Sequence, residues 1–171
     1  MKENDRSKTI SRAYSLGFEL EEEYGACSQM VLTTIQELFG TVDDKLIKAS
    51  HALAGGGAGC EDGTCGALAG GLLAIGAEFG RGKGEFGGYN DELYKRLGKE
   101  LHDRFSHTFG SCICGDVRNS TGGLVASISR GKNCDEKTVN DCPGVVGVTA
   151  SWTAEILLDN GTRPVETLKR K

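Results

Sequence analysis

Apolar residues recur every three or four positions through most of the chain, which is the spacing of helices that bury one face. The first such run extends from Ile10 to Leu38 and predicts an amphipathic helix that ends at Gly40. Gly17 and Gly25 lie inside this run, and an interior glycine costs a helix about 1 kcal/mol relative to alanine. The helix can therefore break near either glycine.

One cysteine and a group of acids lie on this first run. Cys27 falls on the apolar stripe, so its thiol is expected to face the interior. Glu21, Glu22 and Glu23 are interpreted as the solvated side of the helix.

Two further helices flank a glycine run. The first is predicted from Asp43 or Asp44, whose carboxylates suit the positive end of a helix dipole, through Leu53. The second is predicted to begin near Cys65, with a capping residue at 62 or 64 (Asp62 or Thr64). It consists mainly of glycine, alanine and leucine, and so little side-chain bulk favours the close approach of another helix or a cofactor. Such an approach would bring Cys65 near the cysteines at 27 and 142.

Two more helices complete the pattern. One opens at Asn90 and ends at Gly110, and the last opens around Pro143 and ends at Asn160 and Gly161. Their predicted buried faces are Leu93, Leu97, Leu101, Phe105 and Phe109 in one, and Val145, Thr149, Trp152 and Ile156 in the other. Residues 118–141 have no helical period and predict a long surface loop. The fold class is therefore all-α: a compact bundle of about five helices in a single domain, residues 1–171, with a long loop before the last helix.

Composition excludes several classes of partner. The chain has 171 residues and a net charge of -4, so we expect neither nucleic acid nor an anionic membrane surface to bind it. The apolar stretch before Glu78 is about a dozen residues long, whereas a membrane span needs roughly 20. The charged N-terminus does not resemble an export signal, so the predicted location is cytoplasmic.

The seven cysteines are the main candidate chemistry. Cytoplasmic thiols are normally kept reduced, which favours metal or redox chemistry over structural disulfides. Four uses stay open at this point: buried inert thiols, zinc, an iron–sulfur centre, or a thiol–disulfide couple.

Three of the cysteines lie where helices are predicted to begin. They are Cys65, Cys142, and Cys114 in a short turn that Ser111 could cap. A helix N-terminus stabilises thiolate over thiol, so these positions favour a nucleophile or a metal ligand. Simple packing of a small apolar residue is an equally supported interpretation.

Several common motifs are absent. The chain has no CxxC, which excludes a thioredoxin-type couple, and no CxxCH, which excludes a c-type haem. No cysteine has the spacing of a zinc knuckle, and His51, His102 and His107 have no ligand spacing to the cysteines. We interpret His102 and His107 as surface or helix-packing residues.

Four short motifs occur in order between about Cys27 and Trp152: CSQ, GTCGALAGG, RFSHTFGSCIC, and a cysteine before VVGVTA. Together they resemble the C_GCAxxG_C_C family, a prokaryotic family named for four cysteines that are thought to be redox-active. The resemblance covers about residues 24–158. The chain reads Cys-Gly-Ala at 65–67 where the family label reads Gly-Cys-Ala, so the assignment of Cys65 rests on the LAGG that follows.

The resemblance implies a mostly helical protein with Cys27, Cys65, Cys114 and Cys142 as its functional residues. Part of the split-Soret cytochrome c proteins is also similar, which implies that an iron–sulfur cluster could carry over without the haem. The extra cysteines are Cys60, Cys112 and Cys134, of which the first two could act as resolving thiols or substitute ligands.

Three functions remain after the resemblance. The favoured one is thiol–disulfide electron exchange with an unidentified redox partner, in which a low-pKa Cys65 attacks and a second cysteine resolves. This would make the protein a thiol oxidoreductase. The second is an electron-transfer protein whose iron–sulfur cluster is ligated by three or four of the same cysteines. The third is a non-enzymatic helical or zinc-binding module.

Overall fold

The computed structural model describes residues 3–86, 92–119 and 142–165. Within these ranges the chain forms seven α-helices and two short 3-10 helices. The α-helices are α1 (Glu3–Tyr24), α2 (Cys27–Phe39), α3 (Asp44–Ser50), α4 (Gly66–Phe79), α5 (Glu92–Phe109), α6 (Cys114–Asn119) and α7 (Cys142–Asp159); the 3-10 helices are His51–Leu53 and Lys83–Glu85. The all-α prediction is confirmed for the described part, although the helices outnumber the expected five or so.

The first predicted helix is two helices because the chain reverses its backbone twist between them. Gly25 and Ala26 have φ of 69° and 64°, both in the left-handed region, which a right-handed helix cannot contain. Gly17, the other candidate for a break, continues α1. A Cβ atom there would lie 3.1 Å from Ala150 Cβ, so this glycine is a contact point between α1 and α7.

The starts of α3 and α4 differ in how they are capped. α3 begins where the sequence predicts, with Asp43 as its N-cap, and the Asp43 side chain accepts a hydrogen bond from the Leu46 amide at 2.8 Å. The cap expected at Asp62 or Thr64 is wrong, because Cys65 is itself the N-cap of α4 and no side-chain hydrogen bond caps this end. The backbone holds the start of α4 instead, since the Cys65 amide donates to the carbonyl of Cys112 at 2.8 Å.

The later helices follow the predicted faces with two exceptions. Leu97, Leu101, Phe105 and Phe109 of α5 are buried, as are Val145, Thr149 and Ile156 of α7. Leu93 is 41% exposed, and Trp152 is only partly buried although its ring packs against Phe109 of α5.

The predicted ends of these elements fall partly outside the described residues. The predicted start of α5 at Asn90 is outside the described residues, and so are residues 120–141, which make up most of the predicted loop. The first two residues of that loop, Arg118 and Asn119, belong to α6.

Helix α4 packs against α2, α5 and α7, and α1 lies along α7. A Cβ atom at Gly70 would lie 2.6 Å from the carbonyl oxygen of Ser28 in α2. One at Gly71 would lie 2.6 Å from Leu101 of α5 and 2.8 Å from Thr153 of α7. The predicted close approach of neighbouring helices is therefore confirmed. Among the described helices, none combines the length and the apolar character that crossing a membrane requires.

The close contact at Gly70 predicts a position-dependent cost of adding side chains to α4. Gly70→Val should destabilise the protein by about 2 kcal/mol or more, because the side chain would collide with the backbone of α2. Gly76→Ala is the matched control, since nothing lies within 4 Å of its Cβ position. It should stabilise by about 0.5–1 kcal/mol through helix propensity. Urea unfolding under reducing conditions measures both, and an equal gain in the two variants would contradict the packing argument.

Candidate functional site

The four cysteines singled out from the sequence line one cavity of about 210 Å³. Cys27, Cys65 and Cys114 are buried, with exposed fractions of 7%, 5% and 3%, and Cys142 is partly exposed. The other lining residues are Glu21, Ala26, Ala54, Gly55, Ala67, Val117, Arg118, Val145 and Val146. The cavity is thus a mostly apolar space with four thiols, one carboxyl group and one guanidinium group around it.

Each of these cysteines stands at the start of a helix. Cys27, Cys114 and Cys142 are the first residues of α2, α6 and α7, and Cys65 is the N-cap of α4. Helix starts were expected at Cys65, Cys114 and Cys142. Cys27 is also at a helix start, because the chain breaks at Gly25 and Ala26 and α2 begins there. The cavity therefore lies where four helix N-termini meet.

Glycines make the space that the sulfur atoms occupy. A Cβ atom at Gly66 would lie 2.5 Å from Cys27 Sγ, and one at Gly56 would lie 2.9 Å from Cys114 Cβ. Gly56 belongs to a loop, residues 54–63, that contains several residues of positive φ. The loop is fastened to the start of α6, because the Cys114 amide donates to the Gly63 carbonyl at 2.9 Å. The glycine run therefore shapes one wall of the cavity.

Burial controls the ionisation of the thiols. It raises the pKa of Cys65 to about 12, and it raises the pKa of Cys142 to about 11. The pKa values of Cys27 and Cys114 are also raised, again chiefly by burial. The expected low-pKa thiolate at Cys65 is therefore wrong for this state of the protein. Amides at the start of α4 favour the thiolate, but burial in an apolar wall outweighs them.

The thiols also influence one another. Besides burial, negative charge on Cys27 raises the pKa of both Cys65 and Cys142. Negative charge on Cys114 likewise raises the pKa values of Cys27, Cys65 and Cys142. Ionisation of one cavity thiol therefore opposes ionisation of the next.

A carboxyl group that the sequence did not single out belongs to the same cavity. Glu21 was interpreted as part of a solvated face, but its side chain lines the cavity and its Oε2 is buried without a hydrogen-bond partner among the described residues. Burial raises its pKa from 4.5 to about 7. Arg118, the cation of the wall, is ion-paired with Glu61 of the glycine loop. The break after α1 brings the start of α2 back to the cavity that Glu21 lines, and periodicity alone does not reveal that turn.

The cysteines supply a donor set that suits an iron–sulfur cluster, since such clusters are held by four thiolates. In the parts of the chain that the structure describes, no three His, Cys, Asp or Glu side chains are arranged to hold a metal ion. The assignment of the four cysteines as metal or cluster ligands stays a prediction.

Of the extra cysteines, Cys60 and Cys112 are not among the residues that line the cavity. Cys60 is exposed, Cys112 is partly buried, and Cys134 is outside the described residues. Cys112 Sγ lies 3.4 Å from His102 Nε2, a contact that the sequence analysis missed. The two residues flank Gly110, where α5 ends, so the reversal of the chain at that glycine is the signal that could have brought them together.

The raised pKa of Glu21 predicts a pH-dependent stability. The folded state holds this proton more tightly than an unfolded chain, so the contribution is complete below pH 4.5 and is lost as the pH rises towards 7. Allowing for solvent screening of a partly exposed group, the loss is about 2 kcal/mol. The Glu21→Gln variant should not show this loss of stability with rising pH. Urea unfolding at pH 5 and pH 7.5 measures the difference, with Glu22→Gln on the exposed side of α1 as the control. An identical pH dependence in wild type and Glu21→Gln would contradict the prediction.

Comparison with known proteins identifies the family. The chain matches the family model described as "Putative redox-active protein (C_GCAxxG_C_C)" over residues 25–156, a range that contains all four cavity cysteines. Neither the curated proteins nor the solved structures compared with it include a match. The family model covers most of the chain, and the protein therefore belongs to the C_GCAxxG_C_C family.

Proposed function

We propose that the protein is redox-active through reversible thiol–disulfide exchange, with Cys27 and Cys65 as the couple that stores the electrons. The observation that carries this proposal is the presence of four free thiols around one small cavity. Family membership supports a redox role without specifying the reaction.

Contacts of the backbone favour this particular couple. Cys27 Sγ packs against Gly66, the residue directly after Cys65, so closely that a Cβ atom at Gly66 would lie 2.5 Å away. Among the charges that raise the pKa of Cys65, that of Cys27 is the largest. Both observations place Cys27 beside the start of α4. Cys114 and Cys142, in the same wall, are the neighbouring thiols through which a disulfide could be passed on.

The proposed reaction conserves atoms and electrons. Oxidation joins Cys27 Sγ to Cys65 Sγ and releases two protons and two electrons, which reduce one external disulfide to two thiols. Because burial raises the pKa of both thiols, the resting couple is protonated and does not react until a proton is removed. The unpaired Oε2 of Glu21 lines the same cavity and is available to accept that proton.

Mild oxidation should link the proposed couple. Reduced protein incubated with glutathione disulfide should lose two free thiols from the cavity and yield a Cys27–Cys65 disulfide in non-reducing peptide maps. Cys27→Ser and Cys65→Ser should each abolish that linkage. Cys60→Ser, at an exposed position away from the cavity, should retain it. Thiol loss that is unchanged in both Cys27→Ser and Cys65→Ser would overturn the proposal.

An iron–sulfur cluster is the second candidate, and the shared cavity of four cysteines is the observation that favours it. A visible spectrum with iron and zinc analysis of anaerobically purified protein distinguishes thiol–disulfide exchange from cluster binding. Thiol–disulfide exchange predicts a colourless sample without stoichiometric metal. Broad visible absorption with stoichiometric iron would instead make the four cysteines cluster ligands, and stoichiometric zinc without a redox response would indicate a binding module.

A further inference from the structure

A second group of reactive side chains lies outside the cavity, where α5 ends and the chain turns towards α6. Cys112 Sγ is 3.4 Å from His102 Nε2, within the range of a sulfur hydrogen bond. On the other side of the imidazole ring, His102 Nδ1 lies 3.6 Å from Asp103 Oδ1. His102 is exposed and Cys112 is partly so, which makes this group accessible from solvent.

The backbone connects this group to the cavity. The Cys112 carbonyl accepts the hydrogen bond of the Cys65 amide at 2.8 Å. Cys114, two residues further along, has its side chain in the cavity wall. The Cys112 side chain also packs against the hydrophobic cluster that contains Cys27, Cys65 and Cys114. Cys112 is therefore at the boundary between the buried thiols and solvent.

Burial creates a problem of access that this position solves. Three of the four cavity cysteines, Cys27, Cys65 and Cys114, are at most 7% exposed, so an external disulfide has little access to their sulfur atoms. Cys142 is partly exposed, but burial and the neighbouring charges of Cys27 and Glu21 raise the pKa of its thiol and so oppose formation of its thiolate. Cys60 is exposed as well, but among the described residues Cys112, and not Cys60, packs against the hydrophobic cluster that contains the cavity cysteines. Cys112 combines access to solvent, a neighbouring base and a short chain connection to a cavity cysteine.

We propose that Cys112 and His102 form an entry site, at which the Cys112 thiol attacks an external disulfide and passes the resulting disulfide bond to Cys114. The inference rests on the proposed thiol–disulfide function, and it assigns to Cys112 and His102 a role separate from that of the cavity couple.

The exchange balances at each step. His102 Nε2 takes the proton of Cys112, whose sulfur attacks one sulfur of the external disulfide, forms a mixed disulfide and releases the other sulfur as a thiolate. That thiolate takes the proton back from His102. Cys114 Sγ then attacks Cys112 Sγ and breaks the mixed disulfide, and the proton of Cys114 passes to the second external sulfur, which leaves as a thiol. A disulfide between Cys112 and Cys114 remains. The Cys112–Cys114 disulfide finally exchanges with the thiols of Cys27 and Cys65. This step returns Cys112 and Cys114 to thiols and leaves a disulfide between Cys27 and Cys65.

The environment of the imidazole suits a base. A thiol must lose its proton to become a nucleophile, and His102 Nε2, 3.4 Å from Cys112 Sγ, is positioned to accept it. Asp103 next to Nδ1 favours the tautomer with the proton on that nitrogen, which leaves Nε2 free to accept from the thiol. Asp103 is available in its charged form, since a hydrogen bond from Lys99 lowers its pKa.

The test follows oxidation of the cavity couple and labelling of each cysteine in the full-length protein, resolved by peptide mass spectrometry. Reduced protein is mixed with glutathione disulfide in one arm and with insulin, as a protein disulfide, in the other. Cys112→Ser should slow formation of the Cys27–Cys65 disulfide at least about tenfold, and His102→Gln should slow it to a similar degree. Cys114→Ser should trap a mixed disulfide on Cys112. If only one of the two disulfides reacts through Cys112, that result identifies the size of disulfide that the entry site accepts.

Matched variants separate the entry site from general effects. Cys60→Ser removes another exposed thiol, and His107→Gln removes another exposed imidazole of α5; both should oxidise at the wild-type rate. Wild-type rates in Cys112→Ser or His102→Gln would overturn the entry site while leaving the cavity couple intact. Rapid labelling of Cys112 without any cavity disulfide would instead overturn the proposed function and leave the surface thiol reactive.

Discussion

The close approach of α2 and α4 is the constraint on which the rest of the structure depends. It is possible because Gly66 and Gly70 present no side chain where Cys27 and the backbone of Ser28 lie. Tight packing of this kind excludes water, and the same contact therefore decides both the stability of the bundle and the burial of the thiols. The glycines lower the helix propensity of α4, and the contacts that they allow offset that loss.

Two opposing electrostatic effects meet at the cavity. Helix N-termini favour thiolates, whereas an apolar wall favours thiols. At Cys65 the amides of Ala67 and Leu68 act in the first direction, yet burial raises the pKa to about 12. The outcome is a group of protonated thiols near a carboxyl group whose pKa is close to neutral. Burial of this kind limits the access of external reagents to these thiols.

The short segment from Cys112 to Cys114 links the inside of the molecule to its surface. Its backbone holds the start of α4 through the Cys65 amide and is itself held by the glycine loop through Gly63. One of its cysteines faces the cavity and the other contacts His102. Structural and chemical roles thus coincide in three residues, so a change in this segment affects the geometry of α4 as well as the reactivity of the thiols.

The sequence by itself determined the class of fold and the identity of the four cavity cysteines, because helical periodicity and the order of short motifs are local properties of the chain. It also located three of the four cysteines at helix starts. Only the tertiary structure decided that Glu21 joins the cavity and that His102 meets Cys112, since both depend on how the chain turns at Gly25 and Gly110. The tertiary structure also decided how readily the Cys65 thiol ionises. A helix start can be recognised from neighbouring residues, whereas the loss of solvent that raises a pKa is produced by helices distant in sequence.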